Sequence, residues 1–142
     1  MAYQKVRVPV SGKYHLKRAA QALEQALQIV RPDGEICFLH CAGDVSSRIP
    51  GEARKELAVE AAKELEALVQ PLAECVKSAG IAYSVHIVEG EPAMLIPQIA
   101  SELACNVVVM FTDGRNTLGK LFTGSVTERV LQDLCIPLLV VH

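Results

Sequence analysis

The chain has 142 residues, with 14 Lys and Arg against 16 Asp and Glu and a formal charge of −2. That length suits one domain with a core of its own, and the balanced charge excludes a nucleic-acid binder that works through an excess of cations. An apolar content of 51% excludes intrinsic disorder, while no run approaches the ~18 apolar residues of a membrane span.

Residues 6–10, Val-Arg-Val-Pro-Val, read as a short strand closed by Ser11 and Gly12. Leu16, Ala19, Ala20, Leu23, Leu27 and Val30 then recur at helical spacing. Pro32, Asp33 and Gly34 predict a turn, and residues 36–41 read as a strand of the buried type. A polar loop over residues 42–50 precedes a long helical pattern carried by Leu57, Ala61, Leu65, Leu68, Leu72, Cys75 and Val76. Pro71 falls inside that pattern and predicts a kink or a split. Gly80 ends it, and residues 81–88 form the third predicted strand. Pro92 opens the next helix, where a first-turn proline costs nothing, and Ile96, Ile99, Ala100 and Leu103 form its apolar stripe. Residues 107–110 make a fourth strand, residues 112–123 a glycine-containing loop, residues 125–134 the last helix and residues 138–141 a fifth strand.

Strands that are apolar almost throughout, alternating with helices, predict an α/β fold with a parallel sheet covered on both faces. A ligand site is then expected where the winding direction reverses, in the loops after Val10, Cys41 and Met110. Five cysteines are scattered at positions 37, 41, 75, 105 and 135. Cys37 and Cys41 share a face of one strand about 13 Å apart, beyond the reach of a disulfide. Reduced, mostly buried thiols in a cytoplasmic protein are expected, and the N-terminal residues carry no signal-peptide core.

The loop after the fourth strand holds the chemistry. Gly114 to Lys120 nearly matches a P-loop, but Leu121 stands where a hydroxyl must reach Mg²⁺, so an NTPase reading is weak. A second pattern fits better: Gly114, nine residues, then Gly124 and Ser125 at a helix start. Glycine allows close backbone approach to phosphate, and free N–H groups at a helix N-terminus bind anions. Ser125 serves equally well as an ordinary N-cap with no ligand. His15, His40, His86 and His142 lack metal-ligand spacing, and His40 reads as a hydrogen-bonded structural histidine beside the expected pocket. No nucleophile elbow or carboxylate pair exists, so no dedicated catalysis is expected.

These segments resemble the universal stress protein family over essentially the whole chain. The resemblance rests on Leu39-His40-Cys41, Gly90-Glu91-Pro92, the Gly114…Gly124-Ser125-Val126 spacing, and the ending Ile136-Pro137-Leu138-Leu139-Val140-Val141. It implies a single-domain, open, Rossmann-like sheet of the adenine nucleotide alpha hydrolase type, in strand order 3-2-1-4-5. It also implies an adenine nucleotide, ATP or AMP, possible with Mg²⁺, and a homodimer through the last strand. Adenine would lie beside Pro9, Val10, Ser11 and Cys41, and ribose and phosphates against Met110, Phe111, Gly114, Gly124, Ser125 and Val126. Arg115 and Lys13 stand near enough in sequence to offer charge to phosphates.

Two positions depart from the family pattern. Ser11 replaces a usual Asp and brings no negative charge, and Phe111 replaces the first loop glycine. A benzyl group is costly there if the backbone must be left-handed, and harmless if it points into the core. Asn106, in place of a common Asp, reads as a surface change. The leading expectation is a nucleotide-binding stress-response protein acting by binding. The alternative is a dimeric interaction module of the same family that binds no nucleotide.

Overall fold

The computed structural model describes residues 3–10, 16–42, 51–90, 92–111 and 125–141. Strands β1 (Tyr3–Pro9), β2 (Val30–Ala42), β3 (Ala82–Glu89), β4 (Val107–Phe111) and β5 (Leu138–Val141) alternate with helices α1 (Leu16–Ile29), α2 (Gly51–Ser78), α3 (Pro92–Glu102) and α4 (Ser125–Asp133). Every pairing is parallel and the sheet order is β3-β2-β1-β4-β5, as the resemblance implies.

The period of two along each strand divides the core into two layers. Val6 and Val8 of β1, Ile36 and Phe38 of β2, and Val107 and Val109 of β4 meet Ala19, Ala22 and Leu23 of α1 and Leu65 and Leu72 of α2. Cys37, Leu39, Val108 and Met110 face the other way, toward Ile96 and Ala100 of α3 and Val130 of α4. Each fully buried aliphatic side chain contributes roughly 1.5–3 kcal/mol, so short strands of Val, Ile and Leu suffice to hold a sheet with few aromatics. Among the described residues, Phe38 and Tyr83 meet edge to face with ring centroids 6.3 Å apart.

Three local expectations need correction. Val30 begins β2 instead of ending α1, and the predicted turn at Pro32, Asp33 and Gly34 lies inside that strand. The register explains this: Tyr3 pairs with Val30 but Lys5 pairs with Glu35, so the turn residues bulge out of one continuous strand. A Cβ on Gly34 would stand 2.6 Å from the Gln4 carbonyl oxygen, which leaves room only for glycine. Second, α2 is not split at Pro71, whose ring is exposed, and continues as one helix. Its packed residues Leu65, Val69, Leu72 and Val76 anchor both sides of the missing hydrogen bond. Third, the expected burial fails at two of the four thiols described: Cys75 and Cys135 are exposed, while Cys37 and Cys105 are buried.

Asn106 is exposed, as a surface residue should be, yet it also holds the start of β1. Its Oδ1 accepts from the amides of Gln4 and Lys5 at 3.1 and 2.8 Å, and its own amide donates to the Lys5 carbonyl at 2.8 Å.

Two helices end in the same motif with different residues. After α2 the Ile81 amide donates to the Val76 carbonyl, and after α3 the Cys105 amide donates to that of Ala100. Such a cap needs one left-handed residue. Gly80 supplies it at φ 74° after α2, whereas Ala104 supplies it at φ 52° after α3. Ala104→Gly is therefore expected to raise stability by about 1 kcal/mol. A higher denaturant midpoint at unchanged slope is the measurement that checks it.

Candidate functional site

The sheet reverses its winding between β1 and β4, and there the backbone opens a slot. Pairing of β1 with β2 continues to Pro9 and Leu39, but its pairing with β4 ends at Arg7 and Val108. Proline is the cause. The Lys5 nitrogen faces Asn106 on the β4 side, and the Val10 nitrogen donates to the Leu39 carbonyl of β2 at 2.7 Å. Alternation along the strand turns the Pro9 nitrogen toward β4, where it has no hydrogen to donate.

Val10 is 4% exposed and held on both sides of its peptide. Its amide bonds to Leu39, and its carbonyl oxygen lies 2.8 Å from His40 Nδ1. A carbonyl only accepts, so His40 Nδ1 carries the proton and donates it. This is the structural role read from the sequence. Cys41 continues β2 opposite Val88 of β3, beside the same edge. Pro9, Val10 and Cys41 thus come together at the C-terminal ends of adjacent strands.

Met110 and Phe111 end β4, paired with Val140 and Val141 of β5. Met110 is buried, and Phe111 packs against the layer under α1 and α2. Among the described residues Ala104 alone has a left-handed backbone without being glycine, so Phe111 is an ordinary strand residue. Its benzyl group therefore carries none of the backbone cost considered for a loop glycine position. Ser125 and Val126 are the first residues of α4, where the opening amides have no acceptor within the helix. Ser11, Lys13, Gly114, Arg115, Lys120 and Gly124 lie outside the described residues. On the same edge, the first turns of α2 border an open groove of about 660 Å³ lined by Ala53, Leu57, Val59, Lys55, Glu56 and Glu60.

The family model for the universal stress protein family matches residues 2–142. The chain belongs to the universal stress protein family. It is 32% identical to universal stress protein MJ0531 of Methanocaldococcus jannaschii, with 98% of this chain and 82% of the relative covered. Among solved structures it is similar to a universal stress protein in complex with cAMP, at 22% identity and a TM-score of 0.76, covering 100% of this chain and 99% of that one. It is also similar to a universal stress protein from Archaeoglobus fulgidus in complex with dAMP, at 21% identity and a TM-score of 0.70, with both chains fully covered at 100%. These likenesses establish the universal stress protein fold, and among the described residues no helix is long and apolar enough to cross a membrane.

Proposed function

We propose that this universal stress protein binds an adenine nucleotide, ATP or AMP, in the slot between β1 and β4, and acts in the cytoplasm by binding instead of catalysis. The observation that carries the reading is the slot itself, where Pro9 ends the ladder and Val10 is held by Leu39 and His40. The apolar strand ends at Pro9, Val10 and Met110 suit a flat base laid against their backbone. The amides opening α4 at Ser125 suit phosphate, with Arg115 and Mg²⁺ supplying further positive charge. Two relatives solved with adenine nucleotides, cAMP and dAMP, support the same ligand class. The packing of Phe111 against the core removes the main reason to favour a nucleotide-free interaction module.

The homodimer belongs to this reading too. β5 is a sheet edge, and its Leu139 is an exposed apolar side chain, so a second copy pairing there would cover both.

Calorimetry with millimolar ATP and Mg²⁺, and separately with AMP, tests the ligand. Saturable heat is the expected result, together with ATP, ADP or AMP in the supernatant of the denatured purified protein. Silence with both nucleotides and an empty supernatant would sink the proposal.

A further inference from the structure

A second cluster lies in the core layer under α3 and α4 and is independent of the nucleotide reading. Arg7 occupies the middle of the central strand and is 0% exposed, the one buried charged side chain among the described residues. Its Nη2 donates to Cys105 Sγ at 3.5 Å, while its Nε and Nη1 have no hydrogen-bond partner among the described residues. Cys37 stands level with Arg7 on β2, in the same buried cluster as Cys105, and the two thiols are near enough to perturb each other's ionisation. Cys37 is 2% exposed and Cys105 4%.

A buried guanidinium demands a negative neighbour, because an unpaired charge away from water is costly. The described groups facing it are the thiols of Cys37 and Cys105, with the Lys5 ammonium adding positive charge nearby. Cys105 is placed to take the negative charge: it accepts from Arg7, and the Cys37 thiol beside it favours the same state. The Cys37 thiol and then the Arg7 charge lower its pKa to about 6, against the desolvation that opposes them. Cys37 moves the other way, pushed up by the Cys105 thiol and by burial, so it keeps its proton.

We propose that Cys105 and Cys37 are a peroxide-oxidisable thiol pair, with Cys105 the reacting thiolate, Arg7 its positioning residue and Cys37 the thiol that closes the disulfide. The oxidant is hydrogen peroxide. The Cys105 thiolate attacks one peroxide oxygen, the S–O bond forms as O–O breaks, and the departing hydroxide becomes water with the proton that the Cys105 thiol released to solvent on ionising. Cys37 sulfur then attacks Cys105 sulfur, S–S forms as S–O breaks, and the leaving hydroxide departs as water with the Cys37 proton. Two sulfurs lose one electron each, and the peroxide gains two. Peroxide is small, and the turn that carries Cys105 lies at the surface although its thiol is buried. Cys105 follows the left-handed Ala104 and lies between exposed neighbours, Ala104 and Asn106. Ala100, whose carbonyl accepts from the Cys105 amide, also lines a groove of about 340 Å³ between α3 and the end of α4. The bond would tie β2 to the turn before β4.

The test uses the triple variant Cys41→Ser, Cys75→Ser and Cys135→Ser, which leaves the two buried thiols alone. After millimolar hydrogen peroxide, denaturation and thiol titration, the expected result is loss of both thiols and a peptide linking Cys37 to Cys105 by mass spectrometry. In that background Cys37→Ala should stop at Cys105 sulfenic or sulfinic acid, which separates attack from closure. Arg7→Met should slow oxidation at least about tenfold at pH 7 and shift the rate into the ordinary thiol pH range, a change that a packing role alone would not produce. Two intact thiols after treatment, or oxidation of Cys105 with Cys37 left free, would overturn the pair.

Discussion

Cys105→Ala is expected to lower stability by about 3–5 kcal/mol, a large loss for one sulfur atom. Arg7 has no other hydrogen-bond partner among the described residues, so the substitution leaves a guanidinium in the core with its charge unanswered. Arg7→Met should be far milder, because an apolar chain of similar length then packs beside a neutral thiol. The asymmetry is the test: equal losses in chemical denaturation would mean that packing volume matters and the charge pair does not. The same pair predicts a pH dependence. Cys105 titrates near 6 when folded and near 9 otherwise. A depressed acid stabilises the fold above its unfolded pKa and ceases to do so as pH falls through the folded one. Between pH 9 and pH 6 stability should therefore decline by up to about 1.4 kcal/mol per pH unit. Cys105→Ser should lack that component, and two superimposable profiles would contradict the assignment.

The second large effect concerns the ligand. On the proposed reading, Gly124→Asp should weaken ATP binding at least about a hundredfold, since it sets a carboxylate beside the phosphates where backbone amides are expected to meet them. Thermal unfolding of the apo-protein should stay close to the parent, which separates a lost site from a lost fold. Unchanged affinity by calorimetry would move the nucleotide elsewhere on the molecule.

Much of this fold was legible because its signals are local. The apolar runs at 36–41 and 107–110 became the buried strands, and Gly80 ended α2 by the left-handed backbone that only glycine adopts easily. Register was not legible. Pro32, Asp33 and Gly34 carry real turn chemistry, but pairing with β1 turned it into a bulge. Pro71 carries a real break signal, but packing of α2 on both sides overrode it.

The candidate site divides in the same way. The structural role of His40 and the strand end at Val10 were legible, because a strand end can be read from the chain. The effect of Phe111 depended on where one ring points, which no spacing reports. The Arg7, Cys37 and Cys105 group was invisible for a further reason. Its members come from three distant segments, and an arginine between two valines reads as an exposed alternation until neighbouring strands cover it.

Pro9 has a consequence for how such a site can change over time. The gap beside it is written in the covalent backbone, because a missing hydrogen keeps two strands from joining. Side chains around the gap can be exchanged one by one without closing it. A lineage is thus free to retune, swap or discard a small-molecule ligand while the cleft persists as an inherited scaffold.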